Sequence, residues 1–234
     1  MHMKILIMSD IHANWYATEA VLARESYDAL IFLGDVVDFG PDPRRCIEFL
    51  MKSARMRFWG VRGEHDHAMA FGTGSSPESE MERIWNVSRE WGEGILTSGE
   101  VGFLRRLPLE ERIRLDGMDF ELAHCPNPDA LPIPGHGEER TTPAYCRKFI
   151  LVGHSHKPYI RCFGDTTVLN PGSVGQPRDN DPRASYAVIE DGEASIRRVK
   201  YDIEKTVKGL EMSRMPYEVK GRLISMLLSG AAAG

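Results

Sequence analysis

KILIMSD, Lys4 to Asp10, decides how the rest of the chain is read. An unbroken apolar run that stops at an acid is a strand buried on both faces, ending where polar chemistry begins. After it, NWYATEAVLARES places Trp15, Ala20, Val21 and Leu22 roughly at helical spacing, and DALIFLGD (Asp28–Asp35) repeats the buried run. PRRCIEFLMKSA then reads as a second helix and RMRFWGVRG as a third strand. This alternation calls for parallel strands joined by crossover helices, an α/β fold.

Farther along, the pattern changes. GTGSSPESE (Gly72–Glu80) is a loop by composition, followed by a helix in MERIWNVSREW and a shorter one near GEVGFLRRL. ERIRL and MDFELAH flank Asp116-Gly117, a strong hairpin signal. CPNPDALPIPGHGEER is a Pro- and Gly-rich loop. RKFILVGHSH, YIRCFG, TTVLNPGS, ASYAVIE and EASIRRVKY supply further strands, and helices over Ile203–Met212 and Tyr217–Leu228 follow. With no internal repeat and no linker, residues 1–234 read as one domain, in which 72–98 and 125–140 are candidates for lids.

Composition excludes several classes of function. Apolar residues at 42% and charged residues at 27% describe an ordinary globular protein. A formal charge of −5 argues against a general nucleic-acid binder. The four cysteines form no C-x-x-C pair, so they read as reduced thiols of a cytoplasmic protein. No signal peptide is apparent, and no run approaches the roughly 20 apolar residues of a membrane span. The partner is therefore expected to be a small molecule, and the sequence leaves a homo-oligomer open.

The chemistry collects behind the apolar runs. The first ends in Asp10 and His12, the second in Asp35 with Asp38 close behind, and the third in Glu64, His65 and Asp66. MDFELAH ends in His124, and FILVGHSH in His154 and His156. Ligands of open α/β sheets bind at the C-terminal ends of strands. So many acids and imidazoles there would repel or be costly to bury without a cation. Oxygen and imidazole donors without thiolates suit Mn, Fe, Zn, Co or Ni, Mn²⁺ above all, and the donors suffice for two divalent ions sharing a carboxylate.

SDIHANW, LGDVVDFG, VRGEHDHA, LAH, GHSH and NPGSVGQPRD, in this order, resemble the motifs of the calcineurin-like metallophosphoesterases, and most of all the small bacterial and archaeal phosphodiesterases among them. The resemblance runs from Met3 to about Tyr201. It implies a four-layer αββα sandwich with the site on one edge of two sheets, and a dinuclear phosphoesterase acting on phosphodiester or nucleotide-type bonds through metal-bound hydroxide. Residue by residue, it implies Asp10, His12 and His156 as ligands of one metal, Asp35 as the bridge, and His124 and His154 as ligands of the other. His65 would meet the phosphate and protonate the leaving oxygen, with Asp38 orienting it. Asn14 would contact phosphate. Apart from the resemblance, Arg178 is read as a substrate contact that meets a second phosphate or a nucleotide.

Three positions depart from the family pattern. Glu64 stands where the family has Asn; it is read as a ligand of the second metal that lowers the charge of the centre. Phe39 replaces an arginine of related protein phosphatases, which argues against a phosphoprotein substrate. Cys125 replaces a glycine and is read as a spectator. Arg183, His67 and His136 are weaker candidates for substrate contacts, and Trp85 and Trp91 are read as core. The rival functions are a dinucleoside polyphosphate pyrophosphatase, a phosphomonoesterase, and a non-catalytic scaffold. The last has no need of His65 and Asp38.

Overall fold

A computed structural model of the protein describes residues 3–73, 77–125 and 147–231. Its first half follows the alternation read from the sequence: β1 (Lys4–Met8), α1 (Trp15–Arg24), β2 (Ala29–Phe32), α2 (Pro43–Ser53) and β3 (Phe58–Gly60). Three helices follow, α3 (Glu64–Phe71), α4 (Glu80–Glu93) and α5 (Ser98–Arg106). Next come β4 (Glu110–Leu115), β5 (Met118–Ala123), β6 (Lys148–Val152), β7 (Tyr159–Phe163), β8 (Thr166–Asn170), β9 (Ala184–Glu190) and β10 (Glu193–Val199). Helices α6 (Ile203–Met212) and α7 (Tyr217–Ser229) complete the described chain. No helix is long and apolar enough to cross a membrane among the described residues.

The strands form two mixed sheets, β10-β9-β1-β2-β3 and β4-β5-β6-β8-β7. Alternation along β1 shows how they are held. Ile5 and Ile7 face the second sheet and pack with Phe120, Leu122, Phe149 and Leu151, whereas Leu6 and Met8 face the helical side with Val21, Ile47 and Leu50. Each such side chain, fully buried, contributes about 1.5–3 kcal/mol, so a single polar substitution in β1 damages both layers. On the outer face of the second sheet, Arg114 pairs with Asp119 and Arg112 with Glu121 across β4 and β5.

Helix α3 differs from the sequence reading, which took GEHD only as the end of a strand. Eight residues with little apolar periodicity give no helical signal, but Gly63 starts the helix and the Asp66 carboxylate accepts its backbone N–H at 3.3 Å. The lid candidate 72–98 contains the helix expected at MERIWNVSREW, here α4. Ser79 and Glu82 cap α4 reciprocally, and Ile84 and Trp91 pack with Phe39, Leu223 and Leu227 of a separate apolar cluster. Most of the other lid candidate, 125–140, lies outside the described residues, as does His136.

Candidate metal centre

Four strand ends and one helix start meet at the C-terminal edge of β1. The loops after β1 and β2 are joined by backbone hydrogen bonds from Asp10 N to Gly34 O, His12 N to Asp35 O and Ala13 N to Val36 O, at 2.8 to 3.0 Å. Asp10, His12, Asp35, Asp38, His154 and His156 all adopt positive φ, between 45° and 67°. Residues other than glycine hold that conformation only where their surroundings enforce it, and such strain gathers at functional sites. Gly63 has a separate reason to be glycine: a Cβ there would lie 2.0 Å from Asp35 Oδ1.

Two groups of donors result. In one, His156 Nε2 lies 3.2 Å from Asp10 Oδ1 and 3.2 Å from His12 Nε2. In the other, Glu64 Oε2 is 2.8 Å from His124 Nε2, and Oε1 is 2.6 Å from His154 Nδ1. Asp35 joins the two, with Oδ2 at 3.0 Å from His124 Nε2, while its Oδ1 accepts the His65 backbone N–H at 2.9 Å. The donor atoms of Asp10, His12 and His156 lie within 4.8 Å of one another, as do those of Glu64, His124 and His154.

The imidazoles are set by carbonyls, which only accept hydrogen bonds. Nδ1–H of His12 donates to Val37 O at 3.0 Å, that of His124 to Leu33 O at 2.6 Å, and that of His156 to Gln176 O at 2.6 Å. Each Nε2 is thereby turned inward, the orientation that outer hydrogen bonds give metal-binding histidines. Burial holds His12 and His156 well below the ordinary histidine value, so both rings are neutral and two lone pairs face one another. Burial also pushes Asp10 up to about 6, and Asp35 and Glu64 add to the effect. Asp10 Oδ1 and Oδ2 and Asp35 Oδ2 are buried and accept no hydrogen bond from the described residues. Buried carboxylates without donors, opposite imidazole lone pairs, fit divalent cations.

The family model described as the calcineurin-like phosphoesterase superfamily domain matches residues 3–193. The chain belongs to this superfamily. An uncharacterized protein of Methanocaldococcus jannaschii is 28% identical, covering 94% of this chain and 96% of its own length. Phosphodiesterase YfcE of Escherichia coli K12 is 26% identical, over 83% of this chain and 91% of its own length. The crystal structure of a metallophosphoesterase from Sphaerobacter thermophilus superposes with a TM-score of 0.75 at 29% identity, covering 99% of this chain and all of that one. The α/β sandwich is thus of the metallophosphoesterase type.

Glu64, Phe39 and Cys125, which the sequence set apart from the expected motifs, take different places. Glu64 is turned into the site, where burial opposes its charge but His124 and His154 hold it well below the usual carboxylate range. Phe39 is buried, its ring 4.8 Å from both His12 and His65, so it walls the imidazoles where an arginine would carry charge. Cys125 is exposed. Beside Phe39, His65 Nδ1–H donates to Asp38 Oδ2 at 2.8 Å. Burial would lower His65, but Asp35 and Asp38 overcome it and raise the ring to about 9, a proton donor at neutral pH.

Two residues read as substrate contacts sit differently from each other. Arg178 is largely desolvated; its Nη2 donates to Gln176 Oε1 at 3.2 Å, its Nε has no partner among the described residues, and its charge acts on His12 and His156. Asn14 is fully buried and caps α1. Its Oδ1 accepts from Ala17 N and the Thr206 hydroxyl, and its Nδ2 donates to Gly175 O and the Tyr201 hydroxyl. Those four bonds tie α6 to the β1 loop and use the amide fully. Arg183 forks onto Asp181 at the surface, and His67 stacks near Phe71.

Asp66 is the residue that sequence reasoning missed. Its carboxylate accepts Asp35 N and Val36 N, each at 2.8 Å, and so fixes the loop that carries Asp35. Burial together with Asp35 pushes it up to about 7. The signal was an acid at the third position of a helix, visible only once GEHD is recognised as a helix start. The NPGSVGQP segment has a similar role: the Ser173 hydroxyl donates to Asp10 O and accepts from Gln176 N, both at 2.7 Å.

Proposed function

We propose that this protein hydrolyses small phosphodiesters with two divalent cations. Asp10, His12 and His156 would hold one, Glu64, His124 and His154 the other, with Asp35 shared between them. The observation that carries this reading is the set of buried carboxylate oxygens that have no donor among the described residues and face inward-turned Nε2 atoms. Such cations, Mn²⁺ first among those this donor set accepts, polarise the phosphoryl group and acidify water. Three carboxylates, rather than the superfamily's two and an amide, leave less positive charge at the centre and favour tighter ion binding over acidity of the attacking water.

The chain's own groups supply the rest. Asp38 keeps His65 charged and oriented, so that its Nε2–H can donate to the leaving oxygen. Arg178, desolvated and without a partner on Nε, is suited to hold a phosphoryl oxygen. Phe39 leaves no cation where a phosphoprotein phosphatase would grip a second anion, which favours a diester. The name of the phosphodiesterase relative agrees with this choice. Because α6 and α7, outside the residues matched by the family model, pack against Phe39 and Asn14, the chain is taken as one domain.

The test is hydrolysis of bis-p-nitrophenyl phosphate and p-nitrophenyl phosphate after EDTA stripping and re-addition of Mn, Ni, Co, Zn or Mg. Metal-restored turnover that prefers the diester is expected. A folded protein inactive on both with every metal would contradict the reading.

A further inference from the structure

A cleft of about 590 Å³ opens beside the candidate metal centre, within the size range of small-molecule sites. Helix α3 forms one wall. Glu64, His67 and Ala68 stand at i, i+3 and i+4, the spacing that aligns side chains on one helical face, and all three line the cleft. Opposite are Trp85 of α4 and Leu109, in the link between α5 and β4. The cleft is continuous with the site at both ends of the proposed chemistry. His124 lines it, and the Trp85 ring lies 4.4 Å from that of His65.

We propose that this cleft binds an uncharged aromatic arm of the phosphodiester, of about the size of a nucleoside; the proposal rests on the hydrolase reading above. Three observations support it. Leu109 is 56% exposed, so a large apolar side chain faces the cleft without cover from the described residues. The indole of Trp85, half-buried, offers a flat surface of the kind on which bases stack. Half-buried His67 lines the cleft and its Nδ1 has no partner among the described residues, so a turn of the ring offers a planar ligand one polar edge.

Charge sets the arm's character. Glu64 and Glu110 both line the cleft, so additional phosphates would meet like charge there. Arg62, the one arginine among the described lining residues, directs Nη1 to the carbonyls of Arg105 and Leu107 and lays its guanidinium over Phe71. An arm without charge therefore fits better than a polyphosphate chain.

Two diesters with the same leaving group test this: methyl p-nitrophenyl phosphate and thymidine 5′-p-nitrophenyl phosphate, with the Mn²⁺-loaded full chain and its Leu109→Asp variant. In parallel, thymidine 5′-phosphate methyl ester is titrated against tryptophan fluorescence in the wild type and in Trp85→Phe. The nucleoside diester should be preferred by about tenfold or more in kcat/KM. Leu109→Asp should remove most of that preference through KM, and a saturable quench should disappear in Trp85→Phe. Equal kcat/KM for the two diesters without a quench would overturn the cleft proposal and leave the hydrolase reading intact. A Trp85-dependent quench with no turnover of either diester would support the cleft and overturn the hydrolase reading.

Discussion

Strand β1 has a buried charge cluster at each end, and the two are built on opposite rules. At its start, Glu25 receives Lys4 Nζ at 2.8 Å, Arg197 Nη1 at 2.8 and 2.9 Å, and the Tyr186 hydroxyl at 2.9 Å. At its other end, both oxygens of Asp10 are buried and accept nothing from the described residues. One carboxylate is saturated with donors, and the other is held open by strained backbone and hydrogen bonds to its surroundings. A closed ion cluster contributes to folding, whereas an open one costs stability and is kept for what it binds. The difference between the ends marks where stability stops and function starts.

The strongest way to break this contrast is at the open end. His65→Asn places an amide N–H toward Asp38 and leaves nothing in place of Nε2. The diesterase kcat is expected to fall by about 10²–10⁴, and an unchanged kcat would remove His65 from the mechanism. Next, Asp66→Asn presents an NH₂ group to one of the backbone N–H groups that hold the Asp35 loop. A loss of about 10- to 100-fold in metal affinity, measured by calorimetric titration, is expected.

At the closed end, the effects should fall on stability and spare activity. Glu25→Ala leaves Lys4 and Arg197 without their acid. Breaking a fully buried pair costs about 3–5 kcal/mol, but Lys4 is 20% and Arg197 35% exposed. Solvent screening reduces the expected loss to about 1–3 kcal/mol in urea denaturation. The sign with pH is fixed as well. Burial opposes the Glu25 charge, but Lys4, Arg197 and Tyr186 outweigh it and lower the carboxyl from 4.5 to about 2. A depressed acid contributes fully above its unfolded value and loses that contribution as pH falls through its folded value. The stability gap between wild type and Glu25→Gln should therefore be constant above about pH 5 and shrink toward pH 2. The smallest effect sharpens the contrast from the other side: Asp10→Asn should raise the stability of the EDTA-treated protein by about 1 kcal/mol, or 2–4 °C in Tm. A fall in Tm would mean that Asp10 is satisfied after all.

The sequence showed the open end far better than the closed one. Apolar runs that stop at Asp10, Asp35 and His124 are a local pattern, and the order of the motifs carried the family resemblance. Glu25, by contrast, meets Arg197 across 172 positions of chain, and nothing local in RES or SIRR announces that pairing. Sheet order, with β9 beside β1, has the same non-local origin. Asn14 shows the limit of motif reading. It follows SDIH as a phosphate contact would, but an Asn just before a helical run is also an N-cap, and that is the work its amide does here. Asp66 was hidden for the opposite reason, because an acid in the first turn of a helix looks the same whether it faces water or holds a loop.

Ion stoichiometry tests the shared centre most directly. Equilibrium dialysis of the EDTA-stripped protein against Mn²⁺ should give two ions per chain, falling below two in Asp35→Asn. Fewer than one ion in the wild type, or two retained after Asp35→Asn, would contradict a shared dinuclear centre at the open end of β1.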